Sequence, residues 1–435
     1  MVFVIGFVIS ATLIVWALGH LAFAYHFTAN IVSRGIDKST DFQRSEPVSE
    51  PDAALAIYEP PATVLMALRG FDPTLRHTLE GLLKQNYSDY EVIIVIDHQS
   101  DAAWHVVEEI TKIDAERRIR HMALQNPHAS CSLKCSSLIQ AYREIRPETE
   151  VLALLDADVV PHANWLRDLV APLANPQVGV ATGNKFYSPS DRGIGSSMRS
   201  LWNAGAIVPT ALFSNPWAGT CALRVRDVEA AGLIEIWKTS AVDDGPIRQA
   251  FKPLGLAIHF EPKLVLVNRD PCTFGYASRY VSRMLTWSKM YETTFWNTLF
   301  HMIVTLSLMI GAFGLLVYSL ASGAWATCFM IVAAFFVWNS LMLAAYLLVR
   351  RGVAISAKSR GERLKRLTFG QLLSYFCLLP IVQVAHGYWT LVALNSRKIQ
   401  WRDVTYRING AHQIEMVDYQ PYQSRSDKTP SRVSI

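Results

Sequence analysis

Residues 2–24, VFVIGFVISATLIVWALGHLAFA, form an apolar run without a single Asp, Glu, Lys or Arg. About 20 such residues span the hydrocarbon core of a bilayer. Hydrocarbon offers no hydrogen bonds, so a lone segment inside it must satisfy its own backbone as a helix. This feature restricts the architecture of all that follows. Ala22-Phe23-Ala24 resembles a leader-cleavage box, which leaves a removed leader as the alternative. The run lacks a leader's charged start and is long for its apolar region. An uncleaved anchor over residues 1–25 is the expectation.

Three more apolar runs follow, at 298–320, 325–349 and 369–394. Only residues 321–324 separate the first two, so they pair as a hairpin. Between the second and third lies RRGVAISAKSRGERLKRL, with Arg350, Arg351, Lys358, Arg360, Arg363, Lys365 and Arg366 against Glu362. Excess Lys and Arg marks cytosolic loops. Counting back across the hairpin places the long middle region in the cytosol too, and Arg34 and Lys38 agree. The tail, 395–435, conflicts with this count. Three spans after the middle put it outside, yet it carries Arg397, Lys398, Arg402 and Arg407. Either the last run is re-entrant or interfacial, with Pro380 permitting a break, or the charge rule fails there.

Apolar residues make up 51% of the 435-residue chain and charged ones 18%. The excess sits in those runs, which leaves 55–270 as a soluble unit. The net charge of +5 gathers beside the apolar runs, whereas a nucleic-acid binder shows a dense basic stripe. The six cysteines are scattered, and Cys131 and Cys135 lack the second ligand pair a structural zinc site wants.

Within the middle, TVLMAL (63–68) reads as a buried strand bounded by Pro61 and Gly70. Leu75, Leu79, Leu82 and Leu83 then recur at helical spacing. EVIIVID closes on Asp97, residues 101–112 read as a helix, and VLALLDAD (151–158) is another buried strand ending in acids. Strands alternating with helices predict a parallel, doubly wound sheet. Such sheets bind ligands at the carboxyl ends of their strands, where Asp97, Asp156 and Asp158 all fall.

Asp156-Ala157-Asp158 has a specific geometry. In an extended chain, residues two apart point to one side, so both carboxylates can face one cation. Mg²⁺ or Mn²⁺ suits carboxylate, water and phosphate oxygens. An ion there would neutralise a departing nucleoside diphosphate. The plainer reading is a strand-end turn, where Asp is common. Asp243-Asp244 precede a Gly-Pro turn and read either as a helix cap or as a general base for an acceptor hydroxyl. Lys134 opens a helix, where it contacts phosphate or faces solvent.

Together these residues resemble the GT-A glycosyltransferases of family 2 and 21 type, and more closely the ceramide glucosyltransferase family and its bacterial relatives. The resemblance begins at LRGFDPTLRHTLEGLLKQNYSDYEVIIVIDHQSDAA (68–103). It continues through Lys134, Asp156-Ala157-Asp158 and Asp243-Asp244 to IQWRDVTYRI (399–408). It implies Asp97 on the nucleotide base, Asp156 and Asp158 on diphosphate and metal, and Asp244 as the base of an inverting displacement. Arg283 and Trp287 match the family's Arg, two residues, Arg-Trp pattern, but Thr286 stands where the second Arg is expected and Asp403 replaces a Gly. Arg279 or Lys289 is a candidate to supply the missing charge. Trp287 lines the acceptor site or anchors its helix at the interface.

The expectation is an integral membrane enzyme with an α/β, mixed mostly parallel GT-A domain at 55–270. An interfacial helical segment at 271–297 and three membrane segments at 298–394 follow. The resemblance implies transfer of a hexose, glucose first, from a UDP-sugar to a lipid hydroxyl with the help of a divalent cation. A processive polysaccharide synthase and a non-catalytic scaffold of the same fold are the rivals.

Overall fold

A computed structural model describes residues 1–35 and 58–422. Lys38, the boundary at 55 and the end of the tail lie outside the described residues. Thirteen helices and ten strands are described. After α1 (Val2–Gly35) come β1 (Ala62–Leu68), α2 (Leu75–Leu83), β2 (Tyr90–Ile96), α3 (Ala102–Ile113), β3 (Ile119–Ala123), α4 (Leu133–Tyr142) and β4 (Val151–Leu155). Then follow α5 (Trp165–Val170), β5 (Val178–Tyr187), α6 (Ile194–Leu212), β6 (Thr220–Arg224), α7 (Val225–Ala230), α8 (Leu233–Trp237), α9 (Ile247–Phe251) and β7 (Ala257–Asn268). The chain continues with α10 (Phe274–Tyr291), α11 (Phe295–Ala321), α12 (Trp325–Ser359), α13 (Phe369–Asn395), β8 (Lys398–Trp401), β9 (Val404–Gly410) and β10 (Gln413–Asp418).

The sheet order is β3-β2-β1-β4-β6-β5-β7. β1 pairs in parallel with β2 and β4, and only β6 runs against its neighbours. The sheet is mixed and mostly parallel, as expected for the GT-A domain, and the antiparallel β6 departs from the purely parallel pattern of the apolar runs. Both faces are covered: Val64, Met66 and Ile94 pack towards α2 and α3, Leu65, Ile93 and Val95 towards α4. That explains why β1, β2 and β4 read as unbroken apolar runs instead of alternating. The arrangement aligns the carboxyl ends of β1, β2 and β4 on one edge.

Four helices, α1, α11, α12 and α13, are long and apolar enough to cross a membrane. α1 and α12 run parallel. Gly6 meets Thr327 and Met330 at one end, and Thr28 Oγ1 donates to the Leu348 carbonyl at 2.8 Å at the other. α11 runs against α1, with Gly6 beside Leu315 and Trp16 Nε1 bonded to Thr305 Oγ1. α12 runs on through Arg350, Arg351 and Lys358, so the first half of the expected basic loop is helix. Two cations of this stretch, Arg350 and Arg360, are used on the catalytic unit. Arg350 bonds Ser188 Oγ at 3.2 Å, and Arg360 Nη2 donates to the Val265 carbonyl at 3.0 Å.

α13 follows a different course from α12. The loop before it is held by Arg350 on the Lys365 carbonyl. Its last turn is capped by Lys289 Nζ, which donates to the carbonyls of Ala393 and Leu394 at 2.7 and 3.1 Å. The loop before α13 also meets the catalytic unit, where Arg269 Nη2 donates to the Arg363 carbonyl at 3.5 Å, so both flanks of α13 lie towards that unit. The tail that follows forms a three-stranded antiparallel sheet. Ile399, Val404, Tyr406, Ile408 and Ile414 sink into the same core as α4 and α8. Tail and catalytic unit thus lie on one side, which the count of spans does not foresee.

Candidate active site

The carboxyl edge of the sheet opens into a cavity of about 840 Å³. Its lining includes Lys134, Asp156, Asp158, Asp243, Asp244, Arg283 and Trp287. Seven of the eight residues singled out from the sequence therefore meet at one place, although they are spread over about a third of the chain.

Asp156 and Asp158 leave β4 where the strand ends, and each takes an ammonium. Lys134 Nζ lies 2.6 Å from Asp156 Oδ1 and 2.8 Å from Asp243 Oδ2. Lys185 Nζ lies 2.5 Å from Asp158 Oδ2. Burial pushes the Asp156 carboxyl up, but Lys134 and Lys185 outweigh it and hold Asp156 below the usual carboxylate range. Asp158 ends above that range, through burial and the neighbouring Asp156. Lys134 occupies the first turn of α4, whose N-cap Ser132 accepts from Cys135 N. The tail braces that turn, since Leu133 N donates to Tyr406 Oη at 3.2 Å.

Lys185 carries no signal in its sequence neighbourhood, and Arg402 is marked only as part of the 399–408 stretch, which gives it no role at the site. Lys185 lies on β5, just past a register irregularity between Thr182 and Asn184. Gly183 makes that bend possible, because a Cβ there would stand 2.2 Å from the Leu264 carbonyl oxygen. Gly219 is constrained in the same way: a Cβ would meet the Trp217 ring at 1.9 Å and Asp156 Oδ2 at 2.7 Å. The Trp217 ring in turn covers Lys185 Nζ at 5.3 Å, a cation–π contact. Arg402, from the tail, lies 3.5 Å from Asp72 Oδ2 and donates to the Arg69 carbonyl.

Asp243 and Asp244 are told apart by their partners. Asp243 is buried, holds Lys134 and accepts from Trp237 Nε1 through its backbone at 2.9 Å. The Asp244 carboxylate has no hydrogen-bond partner among the described residues. Burial first, and the adjacent Asp243 second, push it up to about 7. A free carboxylate with that affinity for protons is suited to general-base work near neutral pH.

Arg283 has no ion-pair or hydrogen-bond partner among the described residues, and its guanidinium lies 6.0 Å from the Tyr280 ring. An unpaired cation in a cavity is a natural seat for an anion. Thr286 is buried and bonds back to the Ser282 carbonyl at 2.8 Å. Lys289 caps α13, and Arg279 is exposed and absent from the lining. Neither replaces the second Arg of the family pattern; Arg69, Arg199, Arg248 and Arg402 are further arginines that line the cavity.

Asp97 stands apart. It ends β2, yet it is buried, outside the lining, and already bonded to Arg69. Tyr422 N donates to its Oδ2 at 2.7 Å and Tyr419 Oη reaches its Oδ1 at 3.2 Å. The rings of Tyr419 and Tyr422 lie 5.7 and 5.6 Å from the Arg69 guanidinium. Residues 419–422 thus lie across the position expected to meet the nucleotide base.

The donor set suits a hard cation. Asp156 Oδ2 and Asp158 Oδ1 have no hydrogen-bond partner among the described residues, and two carboxylates suffice when phosphate and water complete the shell. No group of three or more His, Cys, Asp or Glu poised for a metal occurs among the described residues. A cation here would therefore depend on ligands brought by the substrate.

A mixed, mostly parallel sheet with carboxylates and the unpaired Arg283 gathered at its carboxyl edge is the architecture of a GT-A glycosyltransferase. Residues 14–414 match the family model described as glycosyl transferase family 21, and the chain belongs to that family. No curated protein matches the chain. Among solved structures it is similar to a mannosyltransferase from Pyrobaculum calidifontis in complex with GDP-Man and Mn²⁺. The identity is 16%, the TM-score 0.53, and 89% of this chain and 99% of that one are covered. It is also similar, at 16% identity and TM-score 0.34, to glucosyl-3-phosphoglycerate synthase from Mycobacterium tuberculosis with Mn²⁺ and UDP-glucose; 52% of this chain and 79% of that one are covered.

Proposed function

We propose that the protein transfers a hexose, glucose as the first assignment, from a UDP-sugar to a hydroxyl of a membrane lipid, with inversion at the sugar carbon. One observation carries the lipid acceptor. The cavity that holds Asp156, Asp158 and Asp244 continues without a break between the apolar helices, to Trp16, His20 and Phe23 of α1 and to Met342 of α12. Its apolar part offers room for a chain, and its polar part offers a base and cations.

In this reading the acceptor hydroxyl gives its proton to Asp244 as its oxygen attacks the sugar's C1. The bond from C1 to the diphosphate oxygen breaks, and the diphosphate leaves with the electron pair. Arg283, Arg402 and Arg69 take up the charge that gathers on it. Asp243 keeps Lys134 against Asp156, so the acidic set stays neutralised while the donor enters. Asp156 and Asp158 would hold a divalent cation, which supplies further neutralisation of the diphosphate. Asp97 orients Arg69; its direct contact with the base requires residues 419–422 to lift. Trp287, packed beside the cavity, borders the acceptor.

For the membrane, α1, α11 and α12 are the spans. α13 is a re-entrant or interfacial helix, supported by the placement of both its flanks on the catalytic unit. With the basic segment 350–366 on that same side, the catalytic unit and the tail are assigned to the cytosol.

Full-length protein in lipid nanodiscs, incubated with UDP-sugars and Mn²⁺ or Mg²⁺, should yield a lipid heavier by one hexose in the mass spectrum. Donor consumption with no glycosylated lipid from any acceptor class would refute the reading.

A further inference from the structure

In the apolar half of the cavity three imidazoles meet: His20 of α1, His301 of α11 and His386 of α13. Their hydrogen bonds fix where the protons are when the rings are neutral. His20 Nδ1 lies 2.8 Å from the Trp16 carbonyl oxygen, which can only accept, so Nδ1 carries the hydrogen. His20 Nε2 then has a lone pair and accepts from His301 Nε2 at 2.7 Å. That leaves a lone pair on His301 Nδ1. Trp202 Nε1, a donor only, bonds His386 Nδ1 at 3.2 Å, which puts the hydrogen of His386 on Nε2.

The outcome is one unused acceptor, His301 Nδ1, and one unused donor, His386 Nε2–H. Neither has a partner among the described residues, and the two ring centroids are 6.3 Å apart. Polar groups in apolar surroundings are costly unless bonded. A ligand that leaves this pair unmet forfeits that bonding.

We infer that His301 and His386 form a donor–acceptor pair that recognises a second polar group of the acceptor, one that both donates and accepts, such as a secondary amide or a further hydroxyl. The reacting hydroxyl lies at Asp244, and this second group lies on the lipid side of it. An ester carbonyl accepts only and satisfies half of the pair. An acceptor with one hydroxyl and no other polar group satisfies neither half.

The inference rests on the lipid-acceptor reading above, and one experiment separates them. Full-length enzyme is supplied with matched acceptors that differ only in the second group: secondary amide, N-methyl amide and ester. The unaltered enzyme should use the secondary amide at least about tenfold better in kcat/KM, because unpaired buried polar groups enforce such discrimination. In His386→Phe and in His301→Phe the preference should fall to about two- to threefold or less, with donor affinity unchanged. In His386→Gln, whose side-chain amide restores a donor, part of the preference should return. Equal use of the three acceptors by the unaltered enzyme overturns the inference whether or not the variants fold. So does a preference that survives in both Phe variants. If no lipid of any kind is glycosylated, the function reading fails and takes this inference with it.

Discussion

Lys134 Nζ lies 2.6 Å from Asp156 Oδ1, and the same ammonium reaches Asp243 Oδ2 at 2.8 Å. One lysine thus ties the end of β4 to the turn that presents the proposed base. It also holds the base itself in check, since its positive charge lowers the proton affinity of Asp244. Lys134→Met should therefore move the acid limb of the pH–rate profile to higher pH and cut kcat. A limb that stays in place would show that Lys134 does not act on Asp244.

The unaltered enzyme should show that limb near pH 7. Asp244 acts only when ionised, and burial with Asp243 beside it pushes its carboxyl up to about 7. The rate should be full above this pH and fall as protons are added below it. Measuring kcat/KM from pH 5 to 9 checks the position, and a limb below pH 5 would assign the base to another group.

Asp243 and Asp244 should fail in different ways. Asp244→Asn should lower kcat by about 10²–10⁴, the usual worth of a general base, and leave donor binding intact. Asp243→Asn leaves Lys134 a single partner at Asp156 and should weaken donor binding as well as turnover. Donor titration by calorimetry, beside steady-state kinetics, separates the two patterns.

Gly183→Ala tests the bend that delivers Lys185. A Cβ 2.2 Å from a backbone oxygen has nowhere to move without shifting β5. We expect a loss of about 2–3 kcal/mol in stability, the upper range for overpacking, read as a lower Tm. Gly205→Ala is the control, because nothing lies within 4 Å of its added Cβ.

Arg402→Met should raise the KM for the donor several-fold with a smaller effect on kcat, because Arg402 reaches the donor side of the cavity through Asp72 and the Arg69 carbonyl. An unchanged donor KM would confine Arg402 to bracing the tail.

The parts of this fold that declared themselves in the sequence were those built from unbroken runs. β1, β2 and β4 are buried on both faces, so their sequences are nearly pure apolar. Asp156 and Asp158 stood out because they end such a run. Lys185 did not, and Arg402 belonged to a family-like stretch without showing its place at the site, since each reaches the site through a distant pairing, β5 with β7 and the tail with α4. The tail's strands are short and half exposed, and their alternation is too brief to set them apart from a loop. α13 has the composition of a span, and composition is the same whether a helix crosses a bilayer or turns back. Its course was legible only from what holds its two ends. The sequence also suggested Asp97 as a site residue without revealing that Arg69, Tyr419 and Tyr422 would saturate it.

The position of Arg402, Tyr406 and Tyr422 has a consequence for the order of events in the cell. These residues are made after all four apolar helices, yet they brace α4, line the cavity and lie over Asp97. While a ribosome is still synthesising the chain, the α/β unit can fold, but its donor site lacks a wall. The enzyme therefore gains competence only when translation has passed Tyr422 and the helices are in place, so that an incompletely inserted copy has no finished site with which to spend nucleotide-sugar.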